Sequence, residues 1–474
     1  MFTFILSIAI LILGYFVYGK FVENVFGIDD TKVTPAVSME DGVDYIPMSW
    51  PRIFLIQFLN IAGLGPIYGA IAGALWGPAA FLWIVFGCIF AGAVHDYFSG
   101  MLSIRHKGTS VSEIVGIYLG DTAKTIMRVF SVVLLILVGV VFVMGPAGLL
   151  ANITGLSKTL LIGIIIIYYL LATVLPVDKL IGKIYPIFGA SLLIMAVGIG
   201  IGIITKGYTI PEITLANLHP KGTPFFPFLF ITIACGAISG FHATQSPLMA
   251  RCVRKESEGR RIFYGSMIAE GIIAIIWAAA SMAFFGGTEG LAATLANGGP
   301  GVVVNEISKT LLGTVGGVLA MLGVVACPIT SGDTAFRSAR LVIADAINLK
   351  QEKAINRFYI AIPLFAVGVA LTKIDFGIVW RYFSWSNQTL AMIVLWAAAT
   401  YLANKGKFHW ICSIPATFMT GVTTAYILQA KEGFKLAASI SNTVGIVLAV
   451  MFFAMFMNKV KKEQKNLKAH ATAK

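Results

Sequence analysis

Gln57-Phe-Leu-Asn60-Ile-Ala-Gly63-Leu-Gly65-Pro66 sets Gly, Pro and an amide in the middle of an apolar run. Ala234-Cys-Gly236-Ala-Ile-Ser239-Gly240-Phe-His242-Ala-Thr244-Gln245-Ser246-Pro247 does the same later in the chain. Proline removes a backbone donor and clashes with the preceding turn. Glycine lowers the cost of leaving the helix. Each stretch therefore predicts a membrane helix that unwinds midway. Unwound backbone at that depth is tolerated only where protein or a watery cavity satisfies it. The alternative is a pair of close-packed glycine faces with a proline kink.

The surrounding composition makes lipid the solvent. Hydrophobic residues are 58% of the 474, charged residues 12%, and the mean hydropathy is +0.86. Soluble domains carry roughly 25% charged residues. The chain is predicted to be an all-α polytopic membrane protein with about 13 transmembrane helices of about 20 residues each. They run near 2–19, 53–75, 79–103, 126–149, 159–176, 184–205, 225–247, 262–285, 311–330, 355–372, 377–401, 409–428 and 435–457. The ninth is expected to continue to about 346. The N-terminus lacks a leading basic patch and reads as a retained helix.

The net charge of +13 is distributed as a membrane protein requires and predicts no nucleic-acid partner. With the N-terminus outside, alternate connections hold 27 of the 35 basic residues, including Arg105, Arg251, Arg254, Arg260, Arg337 and Lys459. Cytoplasmic loops carry that excess. The C-terminus is then cytoplasmic. The 20–52 loop takes its side from parity more than from its own acid-rich sequence. The five cysteines form no CxxC pair and are expected to be packing residues. Ser110 and Glu113 spell a capping box for a short helix within 104–124. The Gly-rich 286–310 stretch is expected to form a re-entrant or surface helix.

The two breaks are five spans apart, so their helices enter the membrane from opposite sides. Two five-helix blocks of opposite orientation follow, which is the pointer to an inverted-repeat transporter with a midplane site. Four segments are expected: 1–51, 52–205, 206–401, and 402–474 with two extra helices and a basic tail. Half-helix N-termini would face an anionic group. Candidate substrate contacts are Asn60, Gly63, Gly65, Ser239, His242, Thr244 and Gln245. Thr330, Ser331, Asp333 and Thr334 gather hard oxygens within a turn and suit a coupling ion, with bound sodium the one small cofactor the sequence raises. The alternative there is an i,i+4 pair of Asp333 with Arg337. Asp96 and Glu270 are ionisable groups within spans and candidate proton relays. Asp96 has a structural alternative toward Arg105. Arg381 is read as attracting a carboxylate or snorkelling to the interface. No GxxxxGK[ST] or HExxH motif appears, so neither ATP-driven pumping nor zinc proteolysis is indicated.

At these residues the chain resembles the carbon starvation protein A family. The similar segments are Ile61-Ala-Gly-Leu-Gly-Pro66, Ala91-Gly-Ala-Val-His-Asp96 and the long run Phe226 to His242. Thr330-Ser-Gly-Asp-Thr-Ala-Phe-Arg337 and Ser386-Asn-Gln388 are similar to its later signatures, although Ser331-Gly332 departs from the usual wording. The resemblance implies a LeuT/APC-like core of five plus five helices. It also implies import of a small carboxylate-bearing nutrient, a peptide or pyruvate, on a proton or sodium gradient across the bacterial cytoplasmic membrane. A channel or nutrient-sensing receptor on the same scaffold is the alternative reading. An enzyme is not expected.

Overall fold

The computed structural model describes residues 1–42, 44–172, 178–347, 349, 351 and 353–472, without side chains for 178–186 and 463–472. Lys350 and Lys474, the side chains of Lys179, Lys183, Lys465 and Lys468, and residues 173–177 at the junction of the fifth and sixth expected spans fall outside what is described. Among the described residues, nine helical runs are long and apolar enough to cross a membrane.

We number the helices in chain order. Helix α1 is Phe2–Phe26. Helix α2 has two halves, α2a (Trp50–Ile61) and α2b (65–76). At Gly77 (φ 76°) the chain leaves α2b, and α3 follows over 78–105. The short α4 is Val111–Leu119, α5 is Asp121–Thr154, α6 is Lys158–Ala172 and α7 is Asp178–Thr205. Helix α8 is again split, into α8a (225–232) and α8b (Gly240–Ala250). Helix α9 covers 260–284. The Gly-rich stretch forms two helices, α10 (288–298) and α11 (300–312), parted at Gly299, and α11 buries Val303, Val304 and Ile307. Helix α12 runs over 314–346, as far as its sequence promised. Helices α13 (Ala354–Leu371), α14 (Phe376–Asn404), α15 (Trp410–Gln429) and α16 (Ala438–Thr472) complete the chain.

Both predicted breaks are present. Ala62 takes φ −84°, ψ 40°, and α2 restarts at Gly65. The second break is longer: Ile233 leaves the helix at ψ 70°, Gly236 sits at φ +87°, and Ser239 is extended. A side chain at Gly236 would be strained by that φ and would also meet Ala274 at 2.6 Å. The close-packing reading of the glycines holds as well. A Cβ on Gly65 would lie 2.2 Å from Cys235 Cβ, and one on Gly73 would lie 2.3 Å from Ile233 Cγ1. So α2b lies directly against the second break.

Hydrogen bonds sort the connections onto two faces. On one face the N-terminal ammonium reaches Ile210 O (3.1 Å) and Glu212 Oε1 (2.5 Å). Those bonds, with Thr3, hold the Glu212 carboxyl down to about 2. On the other face Thr34 donates to Val253 O at 2.6 Å, Arg105 bonds Glu256 and Gly27 O, and Lys459 reaches Tyr118 O. The acid-rich 20–52 connection thus shares the basic face, as parity required. Asp96 does not pair with Arg105; Arg105 is taken by Glu256. The 104–124 helix forms, but not its capping box. Ser110 makes no cap bond, and the Glu113 carboxylate turns to Lys124 (2.6 Å) and Arg128 (2.7 Å). All five cysteines are free and buried.

Candidate functional site

The second break is where buried polar groups converge. Unwinding at 233–239 frees the backbone and turns the first residues of α8b toward α3 and α9. His242, in the first turn of α8b, sets Nδ1 2.8 Å from Asp96 Oδ2 of α3. Its Nε2 faces Glu270 Oε2 of α9 at 3.4 Å. Asp96 is also met by His95 Nδ1 at 2.8 Å. All four side chains are 0% exposed. Several ionisable groups sealed from water at this depth carry a desolvation cost of several kcal/mol each unless paired. Here one imidazole sits between two carboxylates. Glu270 is held less closely than Asp96, with the His242 ring nitrogen at 3.4 Å against 2.8 Å. Cys235 completes a group with His242 and Glu270 whose ligating atoms lie within 4.8 Å of one another.

The break is fixed from the side by α14. Asn387 Oδ1 accepts from Phe241 N at 2.6 Å, and its Nδ2 donates to Ser239 Oγ at 3.0 Å. Gln388 Nε2 donates to the carbonyls of Phe230 and Ile233, at the end of α8a. Trp83 Nε1 adds a bond to Ile233 O at 3.2 Å. These donors occupy carbonyls that the unwinding releases.

The sequence-derived candidates divide between this site and others. Asp96, Ser239, His242 and Glu270 come together. Thr244 and Gln245 lie one turn on; Thr244 Oγ1 caps Phe241 O at 2.7 Å and receives Gln245 Nε2 at 3.0 Å. Asn60 ends α2a and is buried. Gly63 packs against the Phe142 ring and Gly65 against Cys235, so both act as close-approach positions. The oxygen-rich turn of α12 is separate. Thr330 and Thr334 bond the carbonyls of Cys327 and Thr330, and Asp333 lies 3.4 Å from Arg337. Ser331 is buried beside Cys327. Arg381 pairs with Glu432 near one end of α14. Cys235 and Asn387 were not singled out as site residues. Neither has a residue type or spacing that reveals the role; it comes from the second break meeting α14.

The profile of carbon starvation protein CstA matches residues 1–150, 143–285 and 278–426. The chain belongs to the CstA family. Among its relatives in that family, the peptide transporter CstA of Campylobacter jejuni is 26% identical over 93% of this chain and 82% of its own. The Escherichia coli pyruvate/proton symporter BtsT is 28% identical over 57% of this chain and 47% of its own. An uncharacterized membrane protein of Haemophilus influenzae is 47% identical over 60% of this chain and 91% of its own. In fold, the chain is similar to a manganese transporter of Eremococcus coleocola (TM-score 0.53, 12% identity, 87% and 95% of the two chains). It is also similar to the inward-facing form of Mhp1 (TM-score 0.50, 12% identity, 88% and 93%). This CstA-family chain therefore has the LeuT-like fold of secondary transporters, as the family resemblance implied.

Proposed function

We propose that this protein imports a small carboxylate-bearing nutrient, pyruvate or a short peptide, across the bacterial cytoplasmic membrane by alternating access on the proton gradient. The observation that carries the coupling is the Asp96–His242–Glu270 set at the second break. Its imidazole stands between two carboxylates on different helices, so a proton can be taken or given without moving a metal or a cofactor. The substrate class rests on the names of the relatives and on half-helix ends that favour an anion.

The set also supplies the link from proton to motion. It ties α8b to α3 through Asp96 and faces α9 through Glu270. A change of one charge among three alters how firmly α8b is held. The hinge that responds is the 233–239 segment, already free of helical geometry. A proton then biases an existing two-state element, which is all that coupling demands. In this reading the basic face is cytoplasmic, the N-terminus lies outside and the C-terminus inside. The repeats span 52–205 and 206–401.

Sodium coupling at Thr330, Ser331, Asp333 and Thr334 is a second reading, favoured by the gathering of these four oxygen-bearing side chains within little more than one turn of α12. Purified protein in liposomes, supplied with labelled pyruvate and dipeptides, separates the two. We expect accumulation with an inward proton gradient in sodium-free buffer, abolished by a protonophore. Accumulation that needs sodium and ignores the protonophore would transfer coupling to α12. Equilibration without accumulation would indicate a channel, and no uptake of either solute would reject the substrate class.

A further inference from the structure

Away from the buried acid–histidine set, a cavity of about 250 Å³ opens between α2b, α8a and α14. Tyr68 and Trp76 of α2b, Thr232 of α8a, and Trp380, Arg381 and Ser384 of α14 line it. No Asp or Glu is among its lining residues.

Three of its polar atoms have no hydrogen-bond partner: Tyr68 Oη, Trp380 Nε1 and Ser384 Oγ. Their residues are 2%, 7% and 1% exposed. A buried polar atom left unpaired carries an uncompensated desolvation cost. All three belong to side chains that line this one cavity and are closed to water in this conformation, so an occupant meets them once those side chains turn toward it. The indole N–H only donates, and both hydroxyls are able to donate. Arg381 adds a cation at the edge, held in place by Glu432. An occupant must therefore accept hydrogen bonds and tolerate positive charge. A carboxylate does both, with two oxygens and about four lone-pair sites. The rings of Tyr68, Trp76 and Trp380 suit the apolar remainder of such a ligand.

Position adds the second argument. Thr232 is the last residue of α8a before the chain unwinds at Ile233. Ser384 is one helical turn before Asn387, which holds Ser239 and Phe241 inside the break. The cavity therefore abuts the unwound segment on the face shared with the N-terminus and Trp76, whose indole bonds Thr223 O.

We propose that this cavity is a carboxylate-binding subsite that holds substrate on the outer side of the second break before it passes inward. Tyr68, Trp380 and Ser384 donate to the carboxylate, and Arg381 draws it in. The proposal rests on the transport reading above for its ligand class and for which face is outer.

Tyr68→Phe, Trp380→Phe and Ser384→Ala each delete one polar atom and leave most of the packing. Binding of radiolabelled pyruvate and dialanine to purified protein is measured beside initial uptake rates. Thermal midpoints confirm that each variant is folded. We expect KM and Kd to rise about 3–10-fold for each variant, the worth of one hydrogen bond. The maximal rate stays within about twofold, and Ser384→Thr recovers most of the affinity. Ala72→Phe, which adds a ring to the cavity wall, should abolish uptake and binding together. Wild-type KM and Kd in all three deletions, with the unaltered protein transporting carboxylates, would overturn the subsite and leave a solvent-filled void. A wild-type protein that neither binds nor accumulates a carboxylate would overturn the transport reading, and the subsite with it.

Discussion

The Nδ1 atom of His242 lies 2.8 Å from Oδ2 of Asp96, tying the first turn of α8b to α3 across a region closed to water. The other ring nitrogen faces Glu270 at 3.4 Å. The two carboxylates are not equivalent. Asp96 is held by two imidazoles at 2.8 Å, whereas Glu270 faces one, at 3.4 Å. Asp96 is the structural arm and Glu270 the exchangeable one. Asp96→Ala should cost roughly 3–5 kcal/mol of stability, because it leaves a buried imidazole without its counter-charge. Glu270→Gln keeps shape and volume. It should fold with a near-native thermal midpoint yet lose at least about tenfold of gradient-driven accumulation, while substrate exchange across the membrane persists. Full accumulation in Glu270→Gln would remove this set from coupling.

The seam between the breaks predicts a paired effect. Gly65 has no room for a methyl group, since Cys235 Cβ and Sγ would lie at 2.2 and 2.3 Å. Gly65→Ala should destabilise by roughly 1–3 kcal/mol through overpacking and should slow transport. Cys235→Gly removes the obstructing atoms. The double variant should recover part of the loss, a favourable coupling of at least about 0.5 kcal/mol. Thermal unfolding of the four proteins gives that number. Additive losses would show that the contact yields without cost.

The backbone of the site was legible in the sequence and its side-chain geometry was not. Gly63, Gly65, Pro66 and Gly236 announce breaks because their chemistry acts on the chain itself, wherever the neighbours are. Asp96, His242 and Glu270 were each readable as ionisable groups in apolar runs. Their meeting was not, because it depends on how α3, α8b and α9 cross. Asn387 illustrates the same gap: an amide in a helix gives no sign that it will satisfy the unwound backbone of a segment 146 residues away. Glu113 shows a local rule overridden. A Glu three residues after Ser110 fits a capping box, but two cations on α5 offer stronger partners than one amide.

Arg105 and Glu256 make a third prediction about stability. Two hydrogen bonds join them, Nε to Oε1 at 3.0 Å and Nη2 to Oε2 at 2.9 Å. Arg105 also donates to Gly27 O at 2.6 Å and to the Tyr401 hydroxyl. The Glu256 side chain is only 2% exposed. One ion pair therefore pins the first connection, α3, the 251–260 turn and α14 together. Glu256→Ala should lower stability by about 3 kcal/mol, since it strands a half-buried guanidinium. Arg105→Lys should fail to restore it, because a lysine cannot reproduce the two-pronged contact. A thermal midpoint unchanged in either variant would show the pair to be dispensable.

Glu113 gives a prediction in pH. Partial burial pushes its carboxyl up, but hydrogen bonds from Lys124 and Arg128 outweigh that and hold it below the ordinary value. A depressed carboxyl contributes stability above its unfolded pKa of about 4.3, and the contribution is lost as pH falls through the lower folded value. The bridge clamps α4 onto α5. Its carboxylate is 36% exposed, so the clamp is worth only about 0.2–1 kcal/mol. Amide hydrogen exchange of Val111–Leu119 reads it directly. In the wild-type protein, protection of this helix should fall only once the pH drops below about 4. In Glu113→Gln it should be up to about fivefold lower already at pH 7, the fold-change that about 1 kcal/mol allows. The variant should then show no further acid-dependent step in α4. An acid step of the same size in both proteins would assign the effect to another carboxylate.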